Sequence, residues 1–146
     1  MDLWRAAAGY GHAYRALAAG LPTTVDTFIL LGTSHAAMRQ PFAVCDKSFD
    51  TPFGPLRADR DMIDALARAS RFDIREDEFF HKKEHSLEFQ AVFLRYLLRA
   101  RFPDADAEAP PVTSAPVHHG GAFAGSVGGL GADDFNLPFI HREEQF

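Results

Sequence analysis

One cysteine in 146 residues, Cys45, excludes a disulfide framework within the chain and fits a reducing compartment. No stretch approaches the roughly 20 apolar residues of a membrane span. The N-terminus has no basic cap followed by an apolar core, so no signal peptide is expected and cytoplasmic residence is the default. Basic residues are scattered, with Lys82-Lys83 the only adjacent pair, and the net charge is −5, so the electrostatic footprint of a nucleic-acid binder is missing. Internal repeats are absent. Gly125 to Gly131 lacks the lysine and strand context of a phosphate loop. No order of serine, histidine and acid suggests a hydrolytic triad. What remains is the composition of a soluble globular protein, 47% hydrophobic and 24% charged, with length for one ordinary domain.

Apolar spacing predicts a helix over residues 2–19, with Leu3, Ala7, Tyr10, Tyr14, Leu17 and Ala18 three and four apart and Gly20 to Pro22 as the stop. Residues 27–31 read as a buried strand, and Gly32 as a sharp turn out of the sheet. That turn would place His35 just beyond the C-terminal edge of a strand, where open α/β sheets form ligand crevices. Phe42, Val44 and Ser48-Phe49 suggest short strands, Thr51 to Pro55 a loop, and Phe72 to Ile74 a brief strand. Asp59 is placed to cap a helix whose stripe is Met62, Ile63, Leu66 and Ala69. A third helix is expected from Ser86, as its N-cap, to about Arg101, apolar nearly all round and therefore buried or lying against a partner. Alternating strand and helix pieces predict an α/β fold, a partial central sheet flanked by helices. Residues 103–117 are rich in Pro, Ala and acid and residues 120–132 in Gly, so 103–146 is expected to be an irregular or disordered tail.

Three islands carry candidate chemistry: Gly32-Thr33-Ser34-His35, Asp50-Thr51-Pro52-Phe53-Gly54 and Glu84-His85-Ser86-Leu87-Glu88-Phe89-Gln90. A neutral imidazole at His35 suits iron, copper or zinc; a lone histidine after a strand also serves as a hydrogen-bonded structural residue. His85 and Glu88 are three apart at a helix start. They either line a pocket as acid, base or ligand-orienting groups, or serve the helix cap and dipole. Ser34 either donates to a bound molecule or bonds its own turn. Asp50, Thr51 and Gly54 form either a pocket wall or a structural turn. Cys45, in an apolar run, reads as a buried small hydrophobe. His118-His119 precedes the Gly-rich stretch and suggests no built site.

In that order and at those separations, the three islands resemble the Memo family, whose sequences show a Gly-Pro-Ser-His or Gly-Thr-Ser-His turn, a Thr-Pro-Leu-Gly loop and a Glu-His-Ser-Ile-Glu-Met-Gln helix start. The resemblance runs from about residue 6 to residue 102, read here as a partial Memo-like domain over residues 1–102. Bacterial members are often labelled protein B of the three-part AmmeMemoRadiSam system, which includes a radical-SAM protein. The resemblance implies a fold like that of class III extradiol dioxygenases, which are non-haem iron enzymes. It further implies an iron or copper ion at a pocket containing His35, lined by Ser34, His85 and Glu88, with Asp50, Thr51 and Gly54 in a nearby loop. A small-molecule ligand, system partner proteins or a homo-oligomer are the partners to expect. Two family features are missing: the Pro-His strand before the first helix, and the later strands with a pocket histidine and cysteine, for which Cys45 lies in the wrong region. A truncated homologue with an incomplete site is the expectation. The competing one is a non-catalytic remnant acting as a binding or interaction module. Any activity would use redox-metal or Lewis-acid chemistry, since no nucleophile is paired with a base.

Overall fold

The computed structural model describes residues 3–22, 24–100, 102 and 109–118. Helix α1 spans Leu3–Gly20, strand β1 Phe28–Ser34, and strands β2 (Phe49–Thr51) and β3 (Gly54–Leu56) form an antiparallel hairpin. Helix α2 follows at Arg60–Ala69, then a 3-10 turn at Glu78–Lys83, helix α3 at His85–Arg99 and strand β4 at Val112–His118. No helix among the described residues is long and apolar enough to cross a membrane.

The fold is α/β, built on β1 and β4 as a parallel pair with Phe28 opposite Val112 and Ser34 opposite His118. Successive strand residues face opposite sides, and two cores form accordingly. On one side Leu30 and Val112 pack with Leu56 of β3 and with Leu87, Ala91, Leu94 and Leu98 of α3. On the other, Ala115 packs with Val44, Ile74 and Ile63 of α2. Helix α1 docks through Tyr10 and Tyr14, whose rings stack on Phe93 of α3 at 4.8 and 5.5 Å. The Tyr14 hydroxyl donates to the Gln90 carbonyl at 3.1 Å, and burial pushes its pKa up to about 12.

The Asp59 cap is present: its side chain accepts from the Met62 N–H at 2.9 Å, and Ile63 on the expected stripe is fully buried. Buried Asp77 accepts the N–H groups of Arg39 and Gln40, at 2.6 and 2.9 Å, and so ties the loop after β1 to the 3-10 turn.

Several expectations are corrected. Strand β1 does not end at Gly32 but runs on to Ser34, and Gly32 has no positive φ. Space is what its side-chain position lacks: a Cβ there would lie 2.5 Å from Ser86 Oγ and 2.7 Å from Leu87 Cγ. Phe72 to Ile74 is not a strand, although the Ile74 carbonyl accepts the Val44 N–H at 2.8 Å. Helix α3 is capped by Glu84 rather than Ser86, which lies inside it, and it ends at Arg99. The expected irregular tail contains β4, and the domain therefore extends past residue 102. Parallel pairing to β1 supplies hydrogen bonds that an isolated segment of this composition would lack. The rest of that tail, 103–108 and 119–146, lies outside the described residues.

Candidate metal centre

His35 is the first residue beyond β1, and Glu84 and His85 open α3. Three contacts hold these two points together. The His35 N–H donates to Glu84 Oε2 at 2.9 Å, and the His35 ring Nδ1 lies 2.8 Å from Glu84 Oε1. The imidazole rings of His35 and His85 stack at 4.7 Å with 22° between their planes. Among the described residues, His35, Glu84 and His85 form the one group of three potential ligands, with one donor atom from each within 4.8 Å of the others. Glu84 is buried at 4% exposure, His85 half-buried, and the His35 side chain 52% exposed, so the cluster opens to solvent on the His35 side. Burial alone would raise the Glu84 carboxyl, but hydrogen bonds from the His35 N–H, the His35 ring and Ser86 outweigh it and hold the pKa below the ordinary value.

The third island explains the rest of the junction. Ser86 Oγ donates to the Thr33 carbonyl at 3.2 Å and Gln90 Nε2 to the Leu31 carbonyl at 2.8 Å. Those carbonyls have no strand partner among the described residues, so α3 satisfies an otherwise open sheet edge. Leu87, between them, fills the space above Gly32. Residues 84, 86, 87 and 90 thus share one task, seating the helix start against β1 and bringing His85 to His35.

The other candidate residues fall elsewhere. Ser34 is buried, and its Oγ is engaged with the Ala36 backbone at 3.1 and 3.3 Å, as a turn residue. Thr51 and Gly54 close the β2–β3 hairpin, with Thr51 Oγ1 donating to the Gly54 carbonyl at 2.6 Å and Gly54 at φ 106°, a conformation that favours glycine. Exposed Glu88 lines a separate cleft of about 790 Å³ together with Asp50, Thr51, Phe49, His81 and Phe89. His35 and His85 do not line it; Phe89, whose ring meets His85 edge-on at 6.0 Å, is the link between the two places. Ser86, two residues on, offers the more familiar cap and masks Glu84 in the sequence. The available signal was a carboxylate immediately before the histidine at a helix start.

Cys45 also lines the cleft, donating to Glu78 Oε1 at 3.3 Å. Burial lifts its pKa from 9.0 to about 11. At pH 8 the thiolate fraction then falls roughly a hundredfold, and alkylation should slow in proportion. Iodoacetamide labelling followed by mass spectrometry measures this; labelling at the rate of a free thiol would contradict the buried, protonated state.

The donor set of the junction, two imidazoles beside a carboxylate, suits a first-row transition ion such as iron, copper or zinc. Comparison with known proteins gives the family. The chain matches the Memo-like protein family over residues 1–111. It is 38% identical over 97 residues to a MEMO1 family protein of Aquifex aeolicus (strain VF5), a match covering 66% of this chain and 25% of that protein. It is 38% identical over 96 residues to one of Thermococcus onnurineus (strain NA1), covering 64% and 31%. A third, MEMO1 family protein PF1638 of Pyrococcus furiosus, is 33% identical over 96 residues, covering 64% and 30%. The chain therefore spans about a quarter to a third of the length of these relatives. No solved structure gives a significant match. With its first and third islands joined at one strand–helix junction and the second packed along α3 through the Phe53–Tyr96 ring contact, the chain belongs to the Memo family.

Proposed function

We propose that this chain is a metal-binding Memo-like protein that takes an iron or copper ion at His35 and His85, in a site related to those of the extradiol dioxygenases. One observation carries the reading: the two family motifs that contain histidines meet in space, their rings 4.7 Å apart over a buried carboxylate. A bound ion of this kind supplies Lewis-acid or redox chemistry. The chain's own residues do the positioning. His35 and His85 offer nitrogen donors, Glu84 fixes the His35 backbone and ring, and the solvent-open side of His35 leaves room for a small molecule. A catalytic metal site of this kind usually has about three protein ligands. With two histidines from this region, the site is completed by solvent or by further chain of the kind the longer relatives possess.

Titration of the full chain with Cu(II), Fe(II) and Zn(II) tests this by calorimetry, with His35→Ala and His85→Ala in parallel. Binding near micromolar is expected. Each substitution should weaken it by at least about a hundredfold, because a direct ligand counts for more than its hydrogen-bonded support, whose loss costs roughly 10–100-fold. Affinity unchanged in both variants would remove the site and favour the non-catalytic interaction module.

A further inference from the structure

We propose that Glu84 is the positioning residue of this junction: it fixes His35 in the Nδ1–H tautomer, so that Nε2 is the ring atom presented to a metal, and it is not itself a ligand. The inference rests on the metal-binding reading for its use, but its geometry stands in the metal-free chain.

The carboxylate is already engaged. Oε1 lies 2.8 Å from His35 Nδ1 and accepts the Ser86 N–H at 3.4 Å, while Oε2 accepts the His35 N–H at 2.9 Å. An ionised carboxylate only accepts hydrogen bonds. A neutral imidazole facing it through Nδ1 therefore carries its proton there, and the lone pair is left on Nε2. A carboxylate behind the ligating histidine is the usual way in which a ring is oriented and its basicity raised. Moving Glu84 onto a metal would release the His35 ring, the His35 N–H and the cap of α3 together. The buried setting, at 4% exposure, leaves no solvent to replace those bonds.

This arrangement has a selectivity consequence. With the carboxylate withheld, the junction offers nitrogen donors, which suit copper, zinc and iron and are poor ligands for Mg²⁺ and Ca²⁺, both of which demand oxygen.

The test uses Glu84→Gln and Glu84→Asp in the full chain. Gln presents an amide N–H₂ where one oxygen accepted. Asp remains a strong N-cap but is one methylene too short to hold the helix start and both His35 groups at once, so helicity by circular dichroism should survive in it. Long-range ¹H–¹⁵N spectra of the metal-free proteins above pH 8 report the His35 tautomer. Wild type is expected to be Nδ1–H, and both variants to shift toward Nε2–H. Zn²⁺ affinity should drop roughly 10–100-fold in Glu84→Asp, and excess Mg²⁺ should not displace Zn²⁺ from wild type. A wild-type His35 that is mainly Nε2–H, or a tautomer ratio unchanged in a helical Glu84→Asp, overturns the proposal. Loss of Zn²⁺ to Mg²⁺ overturns it as well. If Zn²⁺ binds none of the proteins, the metal reading fails, and the tautomer ratio alone still decides the role of Glu84.

Discussion

Gly32→Ala is expected to destabilise the folded chain by about 1–3 kcal/mol, the usual cost of forcing a methyl into a filled site. The new Cβ would sit 2.5 Å from Ser86 Oγ, 2.7 Å from Leu87 Cγ and 2.9 Å from Leu87 Cδ2. Neither neighbour can yield easily. Leu87 is 1% exposed within the core, and Ser86 Oγ is tied to the Thr33 carbonyl. Replacing glycine also narrows the unfolded ensemble, a gain of roughly 0.4–1 kcal/mol where the backbone tolerates alanine, and the clash outweighs it. The displacement falls on the first turn of α3, so the same variant should lose metal affinity as His85 moves away from His35. Gly54→Ala is the control. At φ 106° it is strained for backbone reasons in the hairpin, and should lower stability while leaving the junction alone. Urea midpoints and Zn²⁺ titrations of both variants separate the two effects. A Gly32→Ala protein as stable as wild type would mean that α3 does not approach β1 this closely.

That glycine also shows how far the sequence could be read. An apolar run ending in glycine has two physical readings: a residue that turns the chain, or one that lets another element come near. Only the position of α3 chooses between them, and α3 is more than 50 residues away in sequence. Local signals did better. Asp59 and its apolar stripe place α2, and the repeats through Tyr10 and Tyr14 place α1, because caps and periodicity act within a few turns of chain. Strand β4 stayed hidden for the opposite reason. Val112 to His118 contains a proline and follows an acidic, Pro-rich stretch, and nothing within it announces a strand. In the sheet, the Val112 and Pro116 carbonyls accept from Asp59 and Ala43, so these alternate peptide groups face away from β1. The missing N–H of Pro116 therefore costs the β1–β4 ladder nothing. The candidate metal site is half legible in the sequence. His35 and His85 stood out as motif residues, but the carboxylate that joins them acts across 49 positions and reads locally as one more acidic residue before a helix.

Arg95→Met is expected to stabilise the protein, by about 1–4 kcal/mol if it behaves as other buried charged groups replaced by apolar ones of similar size. Arg95 lies on α3 between Leu94 and Leu98 at 2% exposure. Its Nε and Nη1 have no hydrogen-bond partner among the described residues. A guanidinium cannot neutralise itself by releasing a proton, so the cost of taking Nε and Nη1 out of water falls on the fold. Methionine keeps much of the length, adapts to irregular space and forms helices well. Arg95→Ala separates charge from volume: it removes the same charge but leaves a cavity, whose cost offsets the gain. The expected order of urea midpoints is therefore methionine highest, with alanine well below it. A methionine variant less stable than wild type would show that the guanidinium has a counter-charge in the folded chain. In the expected case, the buried charge lowers the stability of the same helix that carries His85, and relieving it should leave Zn²⁺ affinity at His35 and His85 unchanged, since Arg95 lies ten residues along α3 from the junction.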